Sequence, residues 1–305
     1  MTSAVVFAYH NVGVRCLEVL LAQGMDVRLV VTHRDNPVES IWFGSVAVLA
    51  RARGIEVITP DDPNSPEVVA QVAEKAPDFL FSFYYRHMLK RSLLDIPRRG
   101  AYNMHGSLLP KYRGRVPINW AIINGETETG ATLHAMTEKP DNGAIVAQKA
   151  VPIGDEDTAQ DVFERVTEAA AEALAAVLPS LVAGTAPHVP QDLSKGAYFS
   201  GRKPEDGRID FSWPARRIHD FVRALTRPYP GAFADIAGHR AVLWRTRPDG
   251  PAPSPAACLY VVDSGVILDC LDGQRLHVLD LEVDGKRIDG AEFQRAFGCR
   301  QIQLA

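Results

Sequence analysis

Apolar and polar positions fall into short, regularly spaced blocks along the first half of the chain. Residues 4–9 form an apolar run, Ala4-Val5-Val6-Phe7-Ala8-Tyr9, of the length of a buried strand. His10-Asn11-Val12-Gly13 reads as the turn after it. Residues 14–23 then carry a helical period that Gly24 stops. Residues 26–32 are the next apolar run, so the chain opens β-α-β, the pattern of a parallel sheet. The alternation predicts a helix over 45–53, a brief strand at 56–58 and a helix over 66–76 with Ser65 as N-cap. Strands follow at 78–84 and 100–105, then a short helix at 117–124. Strands at 131–137 and 144–153 flank the turn Pro140-Asp141-Asn142-Gly143. An Ala-rich amphipathic helix at 158–183, capped by Thr158, closes this part.

Proline and glycine gather over 185–204 and mark a linker. Beyond it a helix at 216–225 precedes short strands at 241–245, 257–262, 265–270 and 275–282. The Pro/Ala stretch 248–257 reads as a loop. Short strands with turn residues suggest an open barrel. The expected fold class is α/β: a mostly parallel sheet over residues 1–190, a linker at 191–204, and a smaller β-rich open-barrel subdomain over 205–305.

Composition narrows the function classes. The 305 residues suffice for one large or two ordinary domains, and 46% hydrophobic with 23% charged residues is a soluble globular balance. A net charge of −4 speaks against broad nucleic-acid binding. Cys16, Cys258, Cys270 and Cys299 form no CxxC pair, so neither a zinc site nor a redox motif is expected, and free thiols in a reducing compartment fit. No basic residue precedes the run at 5–8, and no secretory leader is expected there. No apolar run is read as reaching membrane-spanning length, so the expected place is the cytoplasm, with no membrane insertion. The turn after the first strand lacks GxGxxG, which demotes a dinucleotide enzyme.

The candidate chemistry lies in residues 103–117. Asn103 and His105 are two apart and share a face of an extended strand. Gly106 and Ser107 break that strand into a basic loop punctuated by Pro110 and Gly114. An Asn amide can stabilise an oxyanion, a His can give and take a proton near neutrality, and a carboxylate such as Asp141 can orient that His and raise its pKa. The same residues also fit a buried strand whose polar groups satisfy the nearby backbone. Tyr84-Tyr85-Arg86-His87-Met88-Leu89 stands at a strand's carboxyl end, where open α/β sheets bind ligands, or else packs as ordinary aromatics. His134 is read as a satisfied sheet histidine.

Asn103-Met104-His105-Gly106-Ser107-Leu108-Leu109-Pro110 resembles the signature of the 10-formyltetrahydrofolate-dependent formyltransferases. The resemblance runs through residues 5–10, 32–37, 81–87, 124–130 and 141–148, loosely through 227–233, and fades after about Trp244. Residues 111–115 and 124–130 are most similar to the branch that formylates UDP-4-amino-4-deoxy-L-arabinose, a step of lipid A modification. The resemblance implies a Rossmann-like formyltransferase fold with an OB-like C-terminal subdomain. It implies Asn103 as oxyanion stabiliser, His105 as proton donor and acceptor, and Asp141 as the group that raises the His105 pKa. It places the folate against His87, Met88 and Leu89, largely through backbone, with Thr137, Glu138, Lys139, Pro140 and Asp141 as the other wall. Arg115 would face a UDP-amino sugar, since guanidinium binds phosphate well. The co-substrate would be 10-formyltetrahydrofolate, with no metal and no nucleic-acid partner. The branch acting on methionyl-tRNA carries a basic loop after its second strand. Here residues 35–42 hold Asp35 and Glu39 and no Lys or Arg. A different amino sugar or small amine, or a folate-binding scaffold without catalysis, are the other readings.

Overall fold

The first strand, β1 (Ser3–Ala8), is buried along its whole length, as a central strand covered on both faces must be. The computed structural model describes residues 1–37, 41–263 and 265–304. Glu39, counted above in the acidic loop, lies outside them. After β1 come α1 (His10–Ala22), β2 (Asp26–Val31), α2 (Val46–Ala52), β3 (Val57–Ile58), α3 (Pro66–Glu74), β4 (Phe79–Phe83), α4 (Arg91–Leu94) and β5 (Ala101–His105). Then follow β6 (Arg113–Gly114), α5 (Pro117–Ile123), β7 (Glu128–Ala135), β8 (Ile145–Pro152), α6 (Ala159–Ala183) and β9 (Tyr198–Phe199). Seven strands make one sheet in the order β3-β2-β1-β4-β5-β7-β8. The first five run parallel, β7 pairs antiparallel with β5, and β8 pairs antiparallel with β7. This is the expected Rossmann-like, mostly parallel α/β sheet.

Alternation decides the layers. Val5 and Phe7 of β1 share one cluster with Leu29, Val31 and Leu80, covered by Val68 and Val72 of α3. Ser65 caps α3 by accepting from the Val68 N–H at 3.4 Å. The expected turn at residues 10–13 is instead helix, because α1 begins at His10 with φ +66°. Gly13 is there for closeness: a Cβ on it would stand 3.0 Å from Val46 and 3.1 Å from Ala8. By length and composition α6 could cross a membrane, against the expectation of no such run. Yet Val166, Ala170 and Leu174 are buried within the protein, and Glu168 pairs with Arg15 of α1 at 2.8 Å.

The chain forms two compact units. One comprises Met1–Pro117, Glu128–Pro152 and Phe163–Ser200, and the other Ile118–Thr127, Ile153–Val162 and Gly201–Ala305. The second holds α7 (Ala215–Leu225), β10 (Ala232–Ile236), β11 (His239–Pro251), β12 (Cys258–Val262), β13 (Gly265–Asp269), β14 (Gln274–Val283), β15 (Lys286–Ile288), α8 (Gly290–Phe297) and β16 (Gln301–Gln303). Its antiparallel sheet has the order β10-β11-β14-β13-β12-β16, with β15 on β14, and curls into the expected OB-like form. The expected loop at 248–257 is partly strand. β11 continues through Pro248 to Pro251, with register shifts along it that accommodate prolines lacking an N–H. Inside this unit Arg223 pairs with Asp220 at 2.8 Å and donates to the Gly154 and Asp157 carbonyls at 2.9 and 2.8 Å.

Candidate active site

Strand β5 carries Asn103 and His105 on one face and ends at His105. Glycine follows, and a Cβ on Gly106 would fall 1.9 Å from the Tyr84 hydroxyl, so that side chain would have to move. The loop beyond is fastened to β7. Thr132 Oγ1 donates to the Ser107 carbonyl at 2.6 Å and accepts from the Leu109 N–H at 3.2 Å and from Gln148 Nε2 at 2.9 Å. A loop so fixed can aim its own backbone, and two of its groups are used in the site.

Register brings in the next residue. In the antiparallel pairing of β5 with β7, Asn103 lies opposite His134. Asn103 Nδ2 is 3.1 Å from His134 Nε2, and His134 Nδ1 is 2.9 Å from the Ala135 carbonyl. A carbonyl only accepts, so Nδ1 carries the proton and Nε2 is the nitrogen left to receive the Asn103 amide. His134, read from sequence as a sheet histidine, thus touches the site directly. The period-2 alternation of β7 puts Thr132 and His134 on one face, but nothing in the sequence pairs that face with Asn103.

Asp141 joins both histidines. Its Oδ1 is 3.5 Å from His105 Nδ1 and 3.4 Å from His134 Nε2, and its Oδ2 accepts the Gly114 N–H at 2.8 Å. Burial pushes this carboxyl up, but the His105 ring and the Gly114 N–H outweigh it and hold it well below the usual carboxylate range. A buried carboxylate needs such partners, because an unpaired one would cost several kcal/mol. On His105 the other nitrogen, Nε2, is 2.8 Å from the Tyr112 carbonyl and must donate to it. Nδ1, beside the carboxylate, is the nitrogen left to exchange a proton. Asn103, His105 and Asp141 therefore come together, with His134 completing the group.

The expected folate walls are placed as follows. In the loop after β4, His87 and Met88 are exposed, while Leu89 is 3% exposed and belongs to the core. Asn64 holds this loop, accepting the Lys90 N–H at 2.8 Å and donating to the Met88 carbonyl at 2.9 Å. His33 Nε2 accepts the Arg86 N–H at 3.0 Å. Among the described residues, the N–H groups of Met88 and Leu89 make no hydrogen bond. Backbone donors left without a partner beside an apolar floor are a donor set that suits a flat heterocycle. On the other side Thr137, Glu138 and Lys139 are exposed, Pro140 is half-buried, and Thr137 Oγ1 donates to the Lys139 carbonyl at 2.8 Å. Met136 packs on the cluster that holds Leu89, so the two walls share a floor. Arg115 is exposed, with its N–H on the Phe199 carbonyl at 3.0 Å. Its neighbour Arg113 is committed, donating to Asn142 Oδ1 at 3.0 Å and to the Leu193 and Gly196 carbonyls at 3.2 and 2.8 Å.

Known proteins share this arrangement of elements. Residues 10–178 match the family described as Formyl transferase, and residues 202–298 match Formyl transferase, C-terminal domain. Among solved structures, the N-formyltransferase from Helicobacter canadensis, in complex with folinic acid and dTDP-3-aminofucose, is similar with a TM-score of 0.71 and 20% identity, covering 94% of this chain and 100% of that one. WlaRD, a sugar 3N-formyl transferase solved with dTDP and 5-N-formyl-THF, is similar with a TM-score of 0.71 and 19% identity, covering 91% and 97%. HypX from Aquifex aeolicus, in complex with tetrahydrofolic acid, is similar with a TM-score of 0.64 and 19% identity, covering 96% of this chain and 47% of HypX. At these identities the likeness is one of fold.

Proposed function

Because the chain belongs to the formyl transferase family, we propose that it moves the formyl group of 10-formyltetrahydrofolate onto the amine of a nucleotide-linked sugar. The observation that carries this reading is the group formed by Asn103, His105, His134 and Asp141. It holds one amide donor, one proton-exchanging nitrogen and one buried carboxylate, the parts an acyl transfer to an amine needs. The folate supplies the activated formyl carbon. Asn103, with one amide hydrogen on His134, has the second for the oxygen that gains charge as the amine adds. His105 parks Nε2–H on the Tyr112 carbonyl, receives a proton at Nδ1 and passes one to the departing nitrogen. Asp141 stays ionised and steadies that ring when it is charged. His87, Met88 and Leu89 with residues 137–141 would hold the folate between them.

A nucleotide sugar as acceptor is supported by the relatives solved with dTDP or a dTDP-sugar. It is also supported by Arg115, whose side chain is exposed and makes no hydrogen bond or ion pair among the described residues. Within this class we favour the 4-amine of UDP-4-amino-4-deoxy-L-arabinose, the step of lipid A modification linked to polymyxin resistance, on the resemblance at residues 111–115 and 124–130. The four cysteines are free thiols, which fits a cytoplasmic enzyme. The second reading, another nucleotide amino sugar, is favoured by the dTDP-bound relatives. The test is mass spectrometry of the full chain with 10-formyltetrahydrofolate and UDP-4-amino-4-deoxy-L-arabinose. A product heavier by one formyl group, absent with His105→Ala, is expected. Formylation of dTDP-linked amino sugars alone would transfer the assignment to the second reading, and no formylation of any amine would overturn both.

A further inference from the structure

Residues 191–200, expected to be linker, lie on the loops that build the site. Residues Leu193–Lys195 make a 3-10 turn, and β9 pairs in parallel with β6, Arg113 opposite Tyr198 and Gly114 opposite Phe199. The fit is close: a Cβ on Gly196 would fall 1.9 Å from the Pro110 carbonyl oxygen, and one on Gly114 would fall 2.2 Å from that of Phe199. The Tyr112 ring stacks on Phe199 with centroids 5.0 Å apart. This short pairing therefore sets the backbone that offers the Tyr112 carbonyl to His105 and the Gly114 N–H to Asp141.

At its start the same segment reaches the Asp141 turn itself. Gln191 Nε2 donates to the Asp141 carbonyl at 2.9 Å and to the Gly143 carbonyl at 2.6 Å. Asp141 stands at φ +56°, a left-handed conformation that a non-glycine residue keeps only when its surroundings impose it. Gly143 is pressed against β7, where a Cβ would fall 1.8 Å from the Ala135 carbonyl oxygen. Two carbonyls on either side of Asn142 are thus tied to one amide, and the Asp141 carboxylate is aimed from a turn with no freedom left.

We propose that Gln191 is a positioning residue of the catalytic pair, clamping the Asp141 turn so that the carboxylate meets the His105 ring. This rests on the catalytic reading above. It acts through backbone, touching neither substrate nor reacting atoms. A displacement of about 1 Å in such a site is enough for a roughly hundredfold loss of rate, so removing the two donors lowers turnover.

The test is Gln191→Met in the full chain, which keeps the side chain's length and removes both donors. Two readouts are taken: steady-state kinetics, and the 15N signals of the His105 ring. The expected result is a kcat lower by about tenfold to a hundredfold, KM for the amino sugar within about twofold, and displaced His105 ring signals. A kcat within about twofold of the parent would overturn the proposal. So would a lower kcat with unmoved His105 signals, which would locate the loss elsewhere. The NMR arm needs no turnover. If the parent formylates no amino sugar and the variant still displaces the His105 signals, the acceptor assignment fails while the clamp stands.

Discussion

Asn103 has two amide hydrogens and one evident protein partner, His134 Nε2 at 3.1 Å. The second hydrogen is what a developing oxyanion would meet. Loss of such a donor typically costs about 2.7–4 kcal/mol in the barrier. Asn103→Ala should therefore slow kcat by roughly a hundredfold to a thousandfold and leave the fold intact, because Asn103 is only half-buried. Steady-state kinetics with a thermal melt checks both halves, and a near-parental kcat would remove Asn103 from the chemistry. His134 sets the amide's orientation: its Nδ1–H is spent on the Ala135 carbonyl, so Nε2 must accept. Asn103 and His105 were legible in the sequence because a strand's period of two is strict. His134 was not, since cross-strand register depends on how the chain returns, and the stretch between β5 and β7 hides that return. Arg113 and Arg115 look alike in the sequence, yet one is spent on three carbonyl-type acceptors and the other is exposed.

Secondary elements were most readable where one local rule settled them. Ser65 before Pro66 marked α3 at its first residue. The first β-α-β unit was visible from its apolar runs, but Gly13 misled: it serves close packing of α1 and not a turn. The helix α8 had its own signal, a capping box in which Asp289 accepts the Glu292 N–H at 2.9 Å and Glu292 returns to the Asp289 N–H at 3.3 Å. Gly298, at φ +71°, closes the helix. This signal stands in an eight-residue stretch in which Gly290 and Phe293 are buried, shorter than the window over which an apolar period can be read. Because α8 has so short a core face, its cap matters. Asp289→Ala should cost about 1 kcal/mol and lower the melting temperature by a few degrees, roughly the shift that size of change gives. Differential scanning calorimetry checks it, and an unchanged melt would mean that α8 adds nothing to the cooperative fold. The strands β15 and β16, three residues each, fall below the length at which alternation can be seen at all.

Across the whole molecule, titration couples the two units to acid in the same direction. In the first, burial, aided by the Arg86 charge, pushes the His10 ring down to about 3 from an ordinary 6.5. Among the described residues its Nδ1 is buried without a hydrogen-bond partner, and the ring is stacked under Phe43 with centroids 3.9 Å apart. In the second, burial lowers His219, although its ring nitrogens meet Thr246 Oγ1 and the Asp155 carbonyl, each at 3.0 Å. A ring whose folded value is depressed binds its proton more readily when unfolded. Its contribution is therefore present at high pH, begins to fail as pH falls through the unfolded value of about 6.5, and is gone only below the folded one. Asp141, also depressed in the fold, adds a later loss: its stabilisation is present above the ordinary carboxylate value and disappears as pH falls through its own lower one. The three act in sequence, both histidines first and the Asp141 carboxylate last. The melting temperature should thus fall steadily on acidification from neutrality, well before carboxylates protonate. His10→Phe keeps the aromatic packing and removes the titration, so it should flatten the first part of that fall. Melts of parent and variant across pH decide it: parallel curves would show that His10 is not the group, and a flat parent curve between about 6.5 and 4.5 would show that neither histidine governs stability.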